Sequence, residues 1–158
     1  MNIDTIERDL ITNLLAEYVH SIDEDRLEDW VDLFAEDCVY KILSRENFDS
    51  GLPLELMSCY GKAMLDDRIL SLREANLYNI HWDRHILGGI EVLGIEEDNW
   101  LIKANYTLYQ TTNKGDSELF SVGSYHDKIV SVDGVLKFKE KIVIVDTFAV
   151  IRLLSTPI

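Results

Sequence analysis

All eight glycines of this 158-residue chain lie between Gly51 and Gly134, and the first fifty residues contain none. Glycine weakens a helix interior by about 1 kcal/mol relative to alanine, yet it is the natural residue of hairpin turns. The distribution therefore predicts a helical front and a stranded back. Apolar residues Ile3, Ile6, Leu10, Leu14, Tyr18 and Ile22, joined by Ile11, Leu15 and Val19, recur at helical spacing, with Asp4 and Glu7 as a capping pair. A shorter helix is expected from Arg26 to Phe34, carrying Leu27, Trp30, Val31 and Phe34 on one side, and Cys38-Val39-Tyr40-Lys41-Ile42 reads as a short strand. Pro53 fits the first turn of a third helix running to about Leu72, with Leu56, Met57, Tyr60, Met64 and Leu65 packing inward. Arg73 to Arg84 has no clear period and reads as an ordered connection.

From His85 onward the pattern changes. Expected strands His85–Ile95 and Trp100–Thr112 flank Glu96-Glu97-Asp98-Asn99, and Ser117–Val132 and Val135–Arg152 flank the hairpin dipeptide Asp133-Gly134. Helices followed by strands indicate an α+β fold, with three helices packed on a mainly antiparallel sheet in one domain, 1-158.

Composition narrows the function. Fifteen Lys and Arg against 29 Asp and Glu leave a net charge of −14, which disfavours nucleic-acid binding because phosphate contacts need a positive footprint. The charge is uneven: residues 1–50 hold 14 acids and 4 bases. That is either a solvated helical face or a patch that docks a basic partner. There is no long apolar run for a membrane span, and the acidic start of the chain is not a signal peptide. The two cysteines, Cys38 and Cys59, suit reduced thiols in a cytoplasmic protein.

The last strand invites a reading by parity. Leu136, Phe138, Ile142 and Ile144 would share one face, and Lys137, Lys139 and Lys141 the other. Val143-Ile144-Val145 and Phe148-Ala149-Val150-Ile151 break the alternation, so this strand needs cover on both faces. Three helices cover only one face, so the other is expected to be covered by a second protein chain, the alternative being a strongly coiled sheet that covers itself.

Candidate chemistry is sparse. No Rieske-type Cys-x-His pairs, nucleophile elbow or phosphate-binding glycine loop occurs. His81, Asp83 and His85 have the residue types of a two-His-one-carboxylate iron site, but His85 is placed at a strand, where hydrogen-bonded structural histidines are expected. A curved sheet with helices across its mouth makes an apolar pocket. Tyr18, Asp23, Tyr40, His85 and His126 are the residues that would give such a pocket the general acid–base chemistry of a dehydratase or isomerase. The alternatives are a set of packing residues on different faces, or a plain small-ligand binder. Arg68, Arg73 and Arg84 sit beside carboxylates, in Asp66-Asp67-Arg68, Arg73-Glu74 and Asp83-Arg84, and suit bidentate pairing within the fold or across an interface.

The run Met64-Leu65-Asp66-Asp67-Arg68-Ile69-Leu70-Ser71-Leu72-Arg73-Glu74-Ala75-Asn76-Leu77-Tyr78, followed by Arg84-His85-Ile86-Leu87-Gly88, resembles the small (beta) subunits of aromatic-ring-hydroxylating dioxygenases. Tyr18, Asp23, Arg26, Trp30, Leu33-Phe34, Asp37 and Tyr40 fit as well, as does Lys139-Glu140-Lys141-Ile142-Val143-Ile144-Val145-Asp146. The wording is similar to subunits acting on carboxylated aromatics of the terephthalate, salicylate and anthranilate type. The resemblance implies a cystatin-like, nuclear-transport-factor-like cone and a structural subunit without catalytic, cofactor or metal residues of its own. It further implies a large (alpha) subunit carrying a Rieske [2Fe-2S] cluster and mononuclear non-haem iron. Electrons would come from NAD(P)H through a separate reductase, in an alpha3beta3 assembly with a beta trimer. Arg68, Arg73, Arg84, His85, Val143 and Val145 are the expected subunit contacts.

Overall fold

The structure is a computed structural model and describes residues 4–75, 80–146 and 156–158. Its first element, α1 (Thr5–Asp23), opens as its sequence demands, with Asp4 Oδ1 accepting from the Ile6 amide at 3.3 Å. Ile11, Leu14, Leu15, Tyr18, Val19 and Ile22 form its buried stripe, while Ile6 and Leu10 are exposed near its start. Asp25, with a positive φ of 57°, turns the chain into α2 (Leu27–Asp32), which buries Leu27, Trp30 and Val31.

Next come β1 (Phe34–Ser44), α3 (Arg45–Asp49), β2 (Glu55–Tyr60), α4 (Lys62–Ala75), β3 (His81–Glu96), β4 (Asn99–Thr112), β5 (Ser117–Val132) and β6 (Val135–Val145). The six strands form one open sheet in the order β2-β1-β6-β5-β4-β3. All neighbours are antiparallel except β1 and β6, which run parallel. Helices α1, α2 and α4 pack on the concave face, α1 against β3 and β6 and α4 against β1 and β2, and the core fills the cone between. The fold is the expected α+β cone. Among the described residues no helix is long and apolar enough to cross a membrane.

The back half follows its local signals closely. Glu97 and Asp98 both adopt positive φ in the β3–β4 hairpin, and Asp133 and Gly134 do so between β5 and β6. The front half departs from expectation in its middle. The helix expected from Pro53 to Leu72 is instead strand β2 followed by α4. In β2, Met57 and Cys59 point inward and Leu56 and Tyr60 outward, a period of two that locks onto β1 through the pair Tyr40↔Cys59. Gly61, at φ 87°, then lets the chain turn into α4, where Leu65 and Ile69 are buried and Met64 is exposed. The segment read as a connection up to Arg84 is already strand from His81.

The larger correction concerns β6. Its pairing with β5 slips between Lys128↔Glu140 and Ile129↔Phe138, so Lys139 is an extra residue opposite nothing. A one-residue bulge reverses inside and outside from that point on. Phe138, Lys141, Val143 and Val145 all face the core, and Lys141 does not share the outer face expected of it. Val143 and Val145 are buried within this chain rather than presented to another one. On the convex face α3 supplies part of the missing cover, with Phe48 against His126 at 5.4 Å between ring centres. Phe148-Ala149-Val150-Ile151 lies outside the described residues.

Candidate functional site

The inward sides of β1, β3, β4, β5 and β6 and the inner stripe of α1 meet in an aromatic chamber. Tyr106 and Tyr125 stack at 4.6 Å, and Tyr125 meets Tyr18 edge-on at 5.6 Å. Trp30, Phe34 and Tyr40 complete the wall in edge contacts of 5.0–6.0 Å. Such ring pairs add about 0.5–1.5 kcal/mol each beyond the area they bury.

Two polar arrangements sit within this apolar shell. At the mouth, the Asp23 carboxylate ends α1 and clamps strand β3. Its Oδ2 accepts from the His85 amide at 2.8 Å, and its Oδ1 lies 2.6 Å from His85 Nδ1. Both side chains are buried, and His85 Nε2 has no hydrogen-bond partner among the described residues. Outside the dyad is a cleft of about 350 Å³ between the end of α1 and the start of β3, with Asp23, His81 and Asp83 among its lining.

Deeper in, Lys141 Nζ lies 2.9 Å from Asp127 Oδ2, both side chains fully buried. The ammonium also sits 3.6 Å from the centre of the Tyr125 ring and 4.1 Å from that of Tyr18. Burial pushes the Asp127 carboxyl up to about 6, although the Lys141 charge and hydrogen bond oppose it. Burial pulls Lys141 down to about 8 against the attraction of Asp127. The Tyr18, Tyr40, Tyr106 and Tyr125 phenols are all raised above their ordinary range, chiefly by burial, so they remain protonated donors.

A third arrangement joins the two. Ile158 is fully buried in the chamber, its carbonyl oxygen accepting from Tyr18 Oη at 2.5 Å and from Tyr40 Oη at 3.4 Å. Its amide donates to Tyr40 Oη at 3.2 Å, and Thr156 Oγ1 donates to Asp83 Oδ2 at 3.2 Å.

The fold thus gathers four of the five residues expected in a pocket: Tyr18, Asp23, Tyr40 and His85. His126 is not among them, because it alternates with inward-facing Tyr125 and Asp127 and packs on the convex face against Phe48. Asp127, Lys141, Tyr125 and Ile158 went unforeseen. Inward parity along β5 gave a signal for Asp127, but Lys141 was hidden by the bulge and Ile158 by distance in sequence.

The residues expected at subunit contacts divide similarly. His85, Val143 and Val145 are internal. Arg73 is held within the chain, its guanidinium bridging Asp25 and Glu28 at 2.8–3.0 Å, not the adjacent Glu74. Arg68 is half-buried on α4, and Arg84 is exposed on the convex side of β3.

Cys38 and Cys59 are free and buried, and burial pushes the Cys38 thiol up to about 11 and raises that of Cys59. No group of three or more His, Cys, Asp or Glu able to hold a metal ion occurs among the described residues.

A cone of helices on a curved six-stranded sheet, with an Asp–His pair at its mouth, defines a class of protein. The family model of the SnoaL-like domain matches residues 4–141. The anthranilate 1,2-dioxygenase small subunit of Burkholderia cepacia is 40% identical over 141 residues, covering 89% of this chain and 88% of that protein. Terminal oxygenase subunit beta 2 of the Comamonas sp terephthalate 1,2-dioxygenase is 33% identical, covering 90% of this chain and 93% of that one. A crystal structure from Novosphingobium aromaticivorans, of a beta subunit assigned to the aromatic-ring-hydroxylating dioxygenases, superposes with a TM-score of 0.87 at 37% identity, covering 97% of both chains. The chain belongs to the SnoaL-like domain family and, within it, to the small (beta) subunits of aromatic-ring-hydroxylating dioxygenases.

Proposed function

We propose that this chain is the non-catalytic, structural small subunit of a multicomponent oxygenase, giving shape to a large (alpha) subunit that performs the chemistry. In this reading the large subunit carries a Rieske [2Fe-2S] cluster and mononuclear non-haem iron. A separate reductase supplies electrons from NAD(P)H, and the assembly is a cytoplasmic alpha3beta3 complex built on a beta trimer. The substrate is a carboxylated aromatic, the chemistry named in the anthranilate and terephthalate enzymes. The observation that carries the reading is the 40% identity to a dioxygenase small subunit across nearly the full length of both chains.

The convex face supports it. Trp82 and Ile86 on β3, Tyr109 on β4 and Leu119 on β5 are large apolar residues left exposed. Register places them together, since Arg84 pairs with Tyr109 and Tyr109 with Leu119. A contiguous apolar face beside an exposed guanidinium suits a protein contact, with Arg84 at its centre.

Co-expression with the large subunit tests this. The pair is expected to purify as one brown, active complex, while this chain alone is colourless and inert. Ile86→Asp should release it from the complex without lowering its own melting temperature. Tightly bound iron in the isolated chain, or turnover of an aromatic by it alone, would overturn the proposal. The Asp23–His85 pair favours one rival, a free-standing dehydratase or isomerase. That rival requires His85→Ala to abolish an activity of this chain by itself.

A further inference from the structure

The interior of the cone is filled by a short piece of the same chain, and the way it is held has the form of ligand recognition. Ile158 presents a branched aliphatic side chain to aromatic walls and an acyl oxygen to two phenols. Tyr18 Oη, from α1, and Tyr40 Oη, from β1, converge on that oxygen at 2.5 and 3.4 Å. Tyr40 Oη also receives the Ile158 amide, so donor and acceptor are both read. Two residues earlier, Thr156 is tied to Asp83 on β3. Pro157, itself buried, lies between the two anchors, and its fixed φ lowers the entropy lost on ordering the strap.

Two further groups show that the chamber's polar capacity exceeds what this occupant uses. Among the described residues, His85 Nε2, on a fully buried side chain, and Tyr125 Oη, on a fully buried residue, have no hydrogen-bond partner. Leaving such a group unsatisfied is costly, so buried polar atoms are normally paired. Both belong to side chains on the inner face of the sheet: Tyr125 lies directly against the anchor Tyr18 at 5.6 Å, and His85 is two residues along β3 from the anchor Asp83.

We propose that the cone interior is a small-ligand site whose tethered occupant is the strap Thr156–Ile158. The site accepts a compact, branched apolar group bearing a hydrogen-bond-accepting acyl oxygen, and the strap competes with free molecules for it. Occupancy in cis is favoured because a tethered segment has a high effective concentration, so a free competitor binds measurably only once the strap is displaced. The inference holds whether the chain acts as scaffold or as enzyme, and its failure would leave the scaffold reading untouched.

Two opened variants test it: the chain ended after Ser155, and full-length Ile158→Glu, in which burying an additional carboxylate among the rings is strongly disfavoured. The probe is the peptide acetyl-Thr-Pro-Ile, followed by titration calorimetry and thermal melting. Saturable binding with a Kd of about 1 mM or tighter, a raised melting temperature, and at least a tenfold loss in a Tyr18→Phe background are expected for the opened variants. The unaltered chain should bind at least tenfold more weakly. Should one variant fail to fold alone, the peptide is expected to restore its fold. The proposal is overturned if neither opened variant binds or is rescued by the peptide, if the unaltered chain binds it equally well, or if Tyr18→Phe leaves binding unchanged.

Discussion

Lys141 and Asp127 are directly paired across β6 and β5, with Nζ 2.9 Å from Oδ2 and neither side chain exposed. A buried pair gains Coulomb energy but forfeits the hydration of two ions, and it can be replaced by apolar residues with little loss, whereas breaking it strands a charge. Lys141→Met alone should therefore destabilise the chain by about 3–5 kcal/mol, while Lys141→Met with Asp127→Leu recovers most of that loss. Urea denaturation of the two variants checks this, and equal stabilities would show that the pair is not the controlling interaction.

The same pair sets a pH dependence. Asp127 is raised from 3.8 to about 6 in the fold, so between those values the folded chain binds the extra proton. Its contribution is fully present below about pH 4 and is lost as pH rises through 6. Lys141 is lowered from 10.5 to about 8, so its contribution is present above about pH 10.5 and is lost as pH falls through 8. Relative to the apolar double variant, the wild-type chain should be weakest between about pH 6 and 8. A stability difference that stays flat from pH 4 to 10 would refute this.

Gly123 on β5 lies against the backbone of Ile144 on β6. A Cβ there would stand 1.9 Å from the Ile144 carbonyl oxygen and 3.0 Å from the Tyr106 ring. Backbone has to move to admit it, so Gly123→Ala should cost more than about 2 kcal/mol, against near-neutrality at Gly88, whose Cβ would meet nothing within 4 Å. Melting temperatures of the two alanine variants separate the cases.

Asp23→Ala removes both acceptors that hold His85, leaving a buried amide and a buried ring nitrogen without partners. A loss of about 2–4 kcal/mol is expected, with faster hydrogen exchange at the His85 amide on edge strand β3. Unchanged protection there would mean that the pairing of β3 with β4 alone fixes the strand.

Arg73 spans from α4 to the turn before α2, but its side chain is 32% exposed and its partners Asp25 and Glu28 are 64% and 65% exposed. Solvent screening limits its worth, so Arg73→Ala should cost about 1 kcal/mol or less, and less still in high salt. A larger loss, measured by denaturation at low and high salt, would reveal a role in packing.

Patterns confined to neighbouring residues were legible in the sequence. The spacing of Ile11 to Ile22 determined α1, and Glu97-Asp98 and Asp133-Gly134 determined their hairpins, because a turn's dihedral needs are met by the residues in it. The Asp-Arg…Arg-Glu-Ala-Asn wording was enough to place the chain among dioxygenase small subunits. Tertiary structure alone decided the rest. Whether Leu54-Glu55-Leu56-Met57 becomes helix or strand depends on pairing with β1, which no local preference encodes. Which face Lys141 takes depends on a bulge at Lys139, and one slipped residue exchanges core for solvent along everything that follows. Ile158 meets Tyr18 across 140 positions of chain, a contact that exists only once the cone has closed around it.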